Sequence, residues 1–334
     1  MTIKSPGHHD DDDTSYHCNM FVGATISMWH RQENKVETLY NLFEWIMPSK
    51  YAPGVASNIA VWNDQSDMYC AGDLTTNAGS DASWLDYHHV SSVSTGPDGD
   101  FIVSLRNLDT IIALYANGTG PMWVLSSAFS KEELKQTFPK TATIFNFKRN
   151  ADRFYSAHGV MQLANGDVIL IDDGNSRQGC TSRNNYMGCF SRALIYKLNF
   201  TEHTVDVVWQ FEDPYGLEAL KRYGEGEGLD ADRAGEEGWT QTMTHDQFNF
   251  DGGSVYRLAS GHNLVAFTSL FNNRAYNQNY SMYAWEADGT TAEARSTIIV
   301  PHGTDAMKTS GGYRMTPWNS IHGERSMLDT LDSN

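Results

Sequence analysis

Three histidines and two arginines stand at comparable places beside short apolar runs of the sequence. His89, His158 and His245 come before such runs, and Arg106 and Arg177 come after others. Arginine offers a planar fork of donors that fits a tetrahedral oxyanion, and histidine acts as acid, base or nucleophile near neutral pH. Brought together, the five side chains would form an anion-binding, group-transfer site. The alternative is that each one is a hydrogen-bonding strut between strands.

Motifs for several other chemistries do not occur in the sequence. There is no GxxxxGK[ST] or strand-linked GxGxxG loop for a nucleotide, no HExxH, no GxSxG and no CxxC pair. We therefore expect neither a cofactor nor a metal, with a histidine-based metal hydrolase as a weaker alternative. The formal net charge of −17 repels nucleic acid and anionic membranes. A small anionic substrate would need a local cluster of arginine and histidine.

The elements that would position these residues are short strands separated by glycine turns. Turns at Asp98-Gly99, Asn165-Gly166 and Ser260-Gly261 each lie between two apolar runs, which is typical of β-hairpins. Further runs follow each hairpin. The predicted strands are 90–94, 101–105, 110–115 and 122–125 in the first unit, 160–163, 168–171, 193–198 and 205–211 in the second, and 254–258, 263–267 and 280–285 in the third.

Such repeats predict an all-β protein, a β-propeller of four-stranded antiparallel blades. Units of four strands and about 40–50 residues are typical of propellers, and this chain length allows about six blades. We predict one propeller domain at 16–325, between an acidic disordered tail at 1–15 and a C-terminal tail at 326–334. The capping box Ser130-Lys-Glu-Glu133 predicts a short helix ending near Gln136.

Sequons and cysteines favour a secreted, extracellular or lumenal glycoprotein, although no signal peptide is visible. The sequons begin at Asn117, Asn199 and Asn279. Cys180 and Cys189 bracket a polar loop and are predicted to form a disulfide, with Cys18 and Cys70 as a second pair; four free thiols are the alternative. No apolar run reaches the ~18 residues of a spanning helix. A homo-oligomer or larger extracellular assembly is compatible with these features.

Several dispersed motifs resemble the arylsulfotransferase family, a family of six-bladed propellers. The resemblance covers Ser83 to Ser269. The family pattern W-x-x-H-hydrophobic-N-S-V, then D-G-N-hydrophobic-S-x-R, is similar to Trp84–Val93 and Pro97–Arg106. Its next pattern, a histidine and a short strand followed by F-D-N-G-x-x-R, is similar to His158–Gly166 and Ile171–Arg177. Residues 190–198 and 204–209 resemble its two following strands.

The resemblance implies nucleotide-independent transfer of a sulfuryl group from an aryl sulfate to a phenol. It implies that one histidine, for which His245 is our candidate, attacks sulfur and becomes sulfohistidine. His89 or His158 would protonate the departing phenolate, and Arg177, Arg106 and Asn175 would hold the sulfuryl oxygens.

Two departures from the family pattern keep a second hypothesis open. Ser91 and Val160 stand where the family has asparagine two residues after a histidine, and valine cannot donate a hydrogen bond. The alternative is therefore a catalytically inactive extracellular propeller that serves as a binding or assembly module.

Overall fold

The computed structural model describes residues 2–4, 20–46, 84–174, 177, 191–212, 252–268, 280–301 and 315–317. Its regular elements are eighteen strands, one α-helix and three 3-10 helices at Leu42–Glu44, Arg106–Leu108 and Asn150–Asp152. The described part of the chain is thus all-β, as predicted. No helix in these ranges is long and apolar enough to cross a membrane.

Three antiparallel four-stranded meanders dominate the structure. The first consists of β6 (Val90–Thr95), β7 (Phe101–Leu105), β8 (Thr110–Leu114) and β9 (Pro121–Ser126). The second consists of β11 (His158–Gln162), β12 (Val168–Asp172), β13 (Arg192–Asn199) and β14 (Thr204–Glu212). The third consists of β15 (Ser254–Arg257), β16 (Asn263–Thr268), β17 (Tyr280–Ala287) and β18 (Ala294–Pro301). The strands predicted in each unit are therefore confirmed.

The remaining strands lie in smaller sheets or bridge the first two meanders. β1 (Thr2–Lys4), β2 (Met20–Val22) and β5 (Trp84–Asp86) form a three-stranded sheet, so part of the segment predicted as a disordered tail is a strand. β3 (Thr25–His30) and β4 (Lys35–Asn41) form a hairpin. β10 (Thr143–Phe147) pairs in parallel with both β9 and β14, which joins two meanders into a nine-stranded sheet.

The same glycine turn closes the first hairpin of each meander. Gly99, Gly166 and Gly261 have φ values of 84°, 87° and 85°, a region that favours glycine because it has no Cβ. The amide of each glycine donates to the carbonyl three residues earlier. The helix α1 (Lys131–Thr137) begins at the predicted capping box, in which Ser130 Oγ accepts from the Glu133 amide and the Glu133 carboxylate accepts from the Ser130 amide.

The core consists of apolar layers between successive meanders. Along β12, Val168 and Leu170 pack in the layer shared with the first meander, whereas Ile169 and Ile171 pack in the layer shared with the third. A strand that is buried on both faces has no polar alternation, which explains the continuous run Val168–Ile171. The meanders are therefore stacked face to face.

The first strands of the meanders lie side by side through serine contacts. Ser94 Oγ donates to the Val160 carbonyl at 2.8 Å, and Ser92 Oγ accepts from the Val160 amide at 3.1 Å. Gly159 of β11 in turn lies against Ser254 of β15, where an added Cβ would be 3.2 Å from the Ser254 Cα. The three first strands thus adjoin in chain order.

One buried polar side chain in the third meander offers a test of this packing. Asn263 has no exposed surface, and neither its Nδ2 nor its Oδ1 has a hydrogen-bond partner in the described structure. Val168 is the corresponding first residue of β12. Because an unsatisfied buried amide is costly, we expect Asn263→Val to raise the free energy of unfolding by about 1 kcal/mol in chemical denaturation.

The matched control for this change is the reverse substitution, Val168→Asn. It should lower the free energy of unfolding by about 2 kcal/mol because it buries an amide in an apolar layer. A destabilising effect of Asn263→Val would show that the amide contributes to the fold.

Candidate active site

Asp172 forms the most heavily hydrogen-bonded charged cluster near the predicted site. It is the last residue of β12, and its side chain is fully buried. Its Oδ2 accepts from Arg192 Nε at 2.8 Å and from an Arg177 guanidinium nitrogen at 2.6 Å, while Oδ1 accepts from the Tyr155 amide at 2.8 Å. Two cations therefore compensate this buried carboxylate.

Arg192 anchors the cluster to the rest of the second meander. The guanidinium also donates to Gln210 Oε1 and to the carbonyls of Ala151 and Arg153. Burial, the largest single effect, lowers the pKa of Arg192, but the charge and hydrogen bond of Asp172, together with Tyr196 and Glu212, raise that pKa above its ordinary value. Arg192 therefore stays charged.

Arg177 is the predicted anion-binding residue whose position is described most fully. Its side chain is only 11% exposed, it is held by Asp172, and its guanidinium carbon lies 5.1 Å from the centroid of the Tyr155 ring. Burial raises the pKa of Tyr155, and the charge of Arg177 opposes that effect. The guanidinium is therefore oriented by a carboxylate and an aromatic face before any ligand binds.

His158 is the first residue of β11 and forms a buried pair with Asp173. Nδ1 of His158 lies 2.7 Å from Asp173 Oδ2, and both side chains have no exposed surface. The same nitrogen lies 3.2 Å from the Ser156 carbonyl oxygen. Asp172 and Asp173 are adjacent at the end of β12. This one point of the chain therefore contacts both Arg177 and His158.

His89 is half-buried and has a backbone φ of 43°; its carbonyl accepts from the Arg106 amide at 3.0 Å. Arg106 itself donates a side-chain hydrogen bond to Asn107 Oδ1. Neighbouring His88 is fully buried, with Nδ1 accepting from the Ala24 amide and Nε2 directed at the Ile46 carbonyl. Of this adjacent pair, His88 is a strut between segments, which was the alternative role considered for such residues.

The strand register does not place His89 and His158 at equivalent positions. His158 is opposite Ile171, the fourth residue of β12, whereas Ser92 is opposite Ser104, the fourth residue of β7. The counterpart of His158 in the first meander is thus a serine of β6. A β-bulge in each first strand shifts the register, which spacing along the sequence does not reveal.

Several predicted residues lie outside the described part of the chain. They are His245, Asn175, Asn279 and the cysteines Cys18, Cys70, Cys180 and Cys189. The nucleophile, one substrate contact, one sequon and the disulfides therefore stay predictions. Within the described ranges, no group of three histidine, cysteine, aspartate or glutamate side chains is arranged to hold a metal ion.

Sequence reasoning missed the carboxylates and Arg192. The signal was the pair Asp172-Asp173 directly after an apolar strand, since buried carboxylates require cationic or imidazole partners. Arg192 opens the next strand, beside Asp172 in the antiparallel register, and that pairing is visible only once the strands are aligned.

Two solved structures are distantly similar to this chain. A protein of unknown function from Bacteroides caccae is 10% identical, with 66% of this chain and 52% of that chain covered and a TM-score of 0.31. The Dos1 propeller is 8% identical, with 64% and 47% covered and a TM-score of 0.27. This chain spans about half the length of these structures. No curated protein matches it.

A second comparison, with protein-family models, identifies the family. The model described as arylsulfotransferase (ASST) matches residues 20–220, which is more than half of the chain. The match begins earlier than the resemblance at Ser83 and ends before His245. It contains both described predicted histidines, His89 and His158, as well as Arg106 and Arg177. The chain belongs to the arylsulfotransferase family.

Proposed function

We propose that this protein transfers a sulfuryl group from an aryl sulfate to a phenolic acceptor without a nucleotide donor. The observation that carries the proposal is the position of Arg177 within the family match, where Asp172 and the Tyr155 ring orient its guanidinium. A preorganised cation stabilises charge that develops on sulfuryl oxygens, and it needs little rearrangement during the reaction.

The proposed reaction has two displacements at sulfur. An imidazole nitrogen, assigned to His245, attacks the sulfur, so an N–S bond forms and the S–O bond to the donor ring breaks. The departing phenolate takes a proton from His158 or His89. The acceptor phenol oxygen then attacks the same sulfur, the N–S bond breaks, and the phenol proton passes to the histidine that gave one up. Arg177, with Arg106 and Asn175, would hold the sulfuryl oxygens.

The finer architecture belongs to the same proposal. We assign six four-stranded blades around an axis lined by the first strands. The contacts of β6, β11 and β15 support this assignment, as does Ser254. Its Oγ donates to the Met315 carbonyl at 2.9 Å and accepts from the Met315 amide at 3.1 Å, much as Ser92 holds Val160. A further first strand near Met315 would continue the series.

A second candidate function is a non-catalytic binding or assembly module. The observation that favours it is the burial of His158, which has no exposed side-chain surface. The guanidinium of Arg177 is also already paired with Asp172. A protein of this family that used the same contacts only to hold its sheets together would keep this geometry and lose the reaction.

An assay with p-nitrophenyl sulfate and phenol separates the two functions. We expect nitrophenol release that depends on phenol, together with phenyl sulfate detected by mass spectrometry, with no nucleotide present. If no phenol is released from several aryl sulfates with several acceptor phenols, the protein is the non-catalytic binding or assembly module.

We also propose that the chain is secreted and glycosylated at Asn117. This residue is exposed in the turn between β8 and β9, and its Oδ1 accepts from the amide and the hydroxyl of Thr119 at 3.1 and 2.7 Å. Asn199, which begins the other described sequon, is the last residue of β13, just before the corresponding turn to β14. After expression through a eukaryotic secretory pathway, we expect Asn117→Gln to remove one glycan, read as faster gel migration.

Asn165→Gln is the matched control for the glycan at Asn117. Asn165 also opens an exposed Asn-Gly turn, but Asp167 stands where the sequon has Thr119. Its replacement should leave migration unchanged. Migration of the wild-type chain that is insensitive to a glycosidase would contradict the proposal.

A further inference from the structure

Two adjacent carboxylates at the end of β12 have different partners. Asp172 binds two guanidinium groups, Arg177 and Arg192, at 2.6 and 2.8 Å. Asp173 instead lies 2.7 Å from His158, with both side chains fully buried. A buried carboxylate requires a compensating charge or proton, and the imidazole of His158 is such a partner for Asp173.

The contacts of Nδ1 also fix the tautomer of His158. Both atoms near it, the Asp173 carboxylate oxygen and the Ser156 carbonyl oxygen, are acceptors. Nδ1 must therefore carry a hydrogen, and Nε2 is the nitrogen that gains or loses a proton. A carboxylate at Nδ1 both orients the ring and stabilises its doubly protonated form.

The turn after β12 holds Asp173 in place. Gly174, with a φ of 84°, donates its amide to the Tyr155 carbonyl at 2.9 Å, and Ser191 Oγ donates to the Asp173 carbonyl at 2.8 Å. These bonds fix the peptide group between Asp173 and Gly174 against Tyr155 and against Ser191, the residue before β13. The family pattern has asparagine at this position, so the negative charge is a feature of this chain.

Few other titratable groups lie on the strands around His158. Of the strands packed against β11, β6 and β7 have none, β12 contributes Asp172, and β15 contributes Tyr256 and Arg257. The latter two lie at the turn end of β15, away from Ser254, which adjoins Gly159. Beyond the strands, Asp109 Oδ1 accepts from the Ser156 amide. Among the residues that the structure describes, Asp173 is the carboxylate in contact with the ring.

We propose that Asp173 is the positioning residue that keeps His158 protonated and oriented as the acid for the departing phenolate. The inference rests on the proposed sulfuryl transfer. In the first displacement the proton moves from Nε2 to the phenolate oxygen, which leaves a neutral ring with its hydrogen on Nδ1, the nitrogen that lies 2.7 Å from Asp173 Oδ2. In the second displacement the acceptor phenol returns a proton to Nε2. No further reactant is needed.

The test compares wild type with Asp173→Asn, which keeps the shape and the acceptor oxygen but removes the charge. Burial disfavours an imidazolium and Asp173 favours it, so removing the charge leaves burial unopposed. We expect the NMR titration midpoint of His158 to fall by about one pH unit or more. Turnover of phenyl sulfate should fall about 10²-fold, and that of p-nitrophenyl sulfate much less, because its leaving phenolate is less basic.

The control variant is Asp167→Asn, a half-buried aspartate beside the hairpin turn before β12, which should change neither measurement. An unchanged His158 midpoint in Asp173→Asn would overturn the pairing. Equal losses with both donors would show that Asp173 serves only the fold. If Asp173→Asn does not fold, a wild-type His158 midpoint at or below the ordinary 6.5 or so overturns the proposal. A further outcome is that the wild-type protein shows no transferase activity, while Asp173→Asn still lowers the titration midpoint of His158. That result would refute the proposed sulfuryl transfer and support the His158–Asp173 pair.

Discussion

Replacing Asp172 by alanine is expected to lower the free energy of unfolding by about 3–5 kcal/mol. The change removes the carboxylate 2.8 Å from Arg192, a charged side chain that is only 5% exposed. It also removes the acceptor of the Tyr155 amide and one partner of Arg177. Urea denaturation followed by far-UV circular dichroism measures the effect.

Asp206→Ala is the matched control for this loss. Asp206 pairs with Lys148 at 2.8 Å, as closely as Asp172 pairs with Arg192, but both side chains are more than 40% exposed. Because exposed ion pairs contribute little, the denaturation midpoint of this variant should stay close to that of wild type. Equal effects of the two substitutions would contradict the importance of burial at Asp172.

Replacing His245 by alanine is expected to abolish sulfuryl transfer, with a fall in kcat of about 10³-fold or more. The variant removes the nitrogen that forms the N–S bond, while Arg177 and the His158–Asp173 pair remain. The measurement is phenol-dependent nitrophenol release from p-nitrophenyl sulfate, together with a rapid quench of wild type. The peptide containing His245 should carry one additional sulfuryl group.

His262→Ala is the control for the nucleophile. His262 lies at the surface of the third meander, where Nδ1 contacts Glu286 at 2.7 Å and helps to lower the pKa of that carboxyl. Its loss should leave kcat unchanged. Full activity of His245→Ala, or a sulfuryl group on another residue, would assign the nucleophile elsewhere.

The helix and eleven of the twelve meander strands, all but β18, could be predicted from the sequence because their signals are local. A glycine turn between apolar runs and a Ser130–Glu133 capping box each specify a conformation within a few residues. The parallel pairing of β10 with two other strands could not be predicted, because no turn joins those strands and the pairing depends on tertiary packing.

The candidate site was predicted less completely than the fold. Spacing identified Arg177 and His158, but it could not show that His88 is buried between segments whereas His89 is half-buried. It also treated His89 and His158 as equivalent, although a bulge of one residue changes which side chain occupies a position. The carboxylates that hold Arg177 and His158 become visible only when distant strands are aligned.

The bridging strand β10 has a consequence for how this protein behaves in a crowded solution. An outermost strand with free amides and carbonyls can recruit a strand from another chain and start aggregation. In β10, Thr143–Phe145 covers part of β9, and Asn146 and Phe147 cover the start of β14. One five-residue segment therefore shields two sheet borders, and mutations that detach it should favour self-association before they affect chemistry.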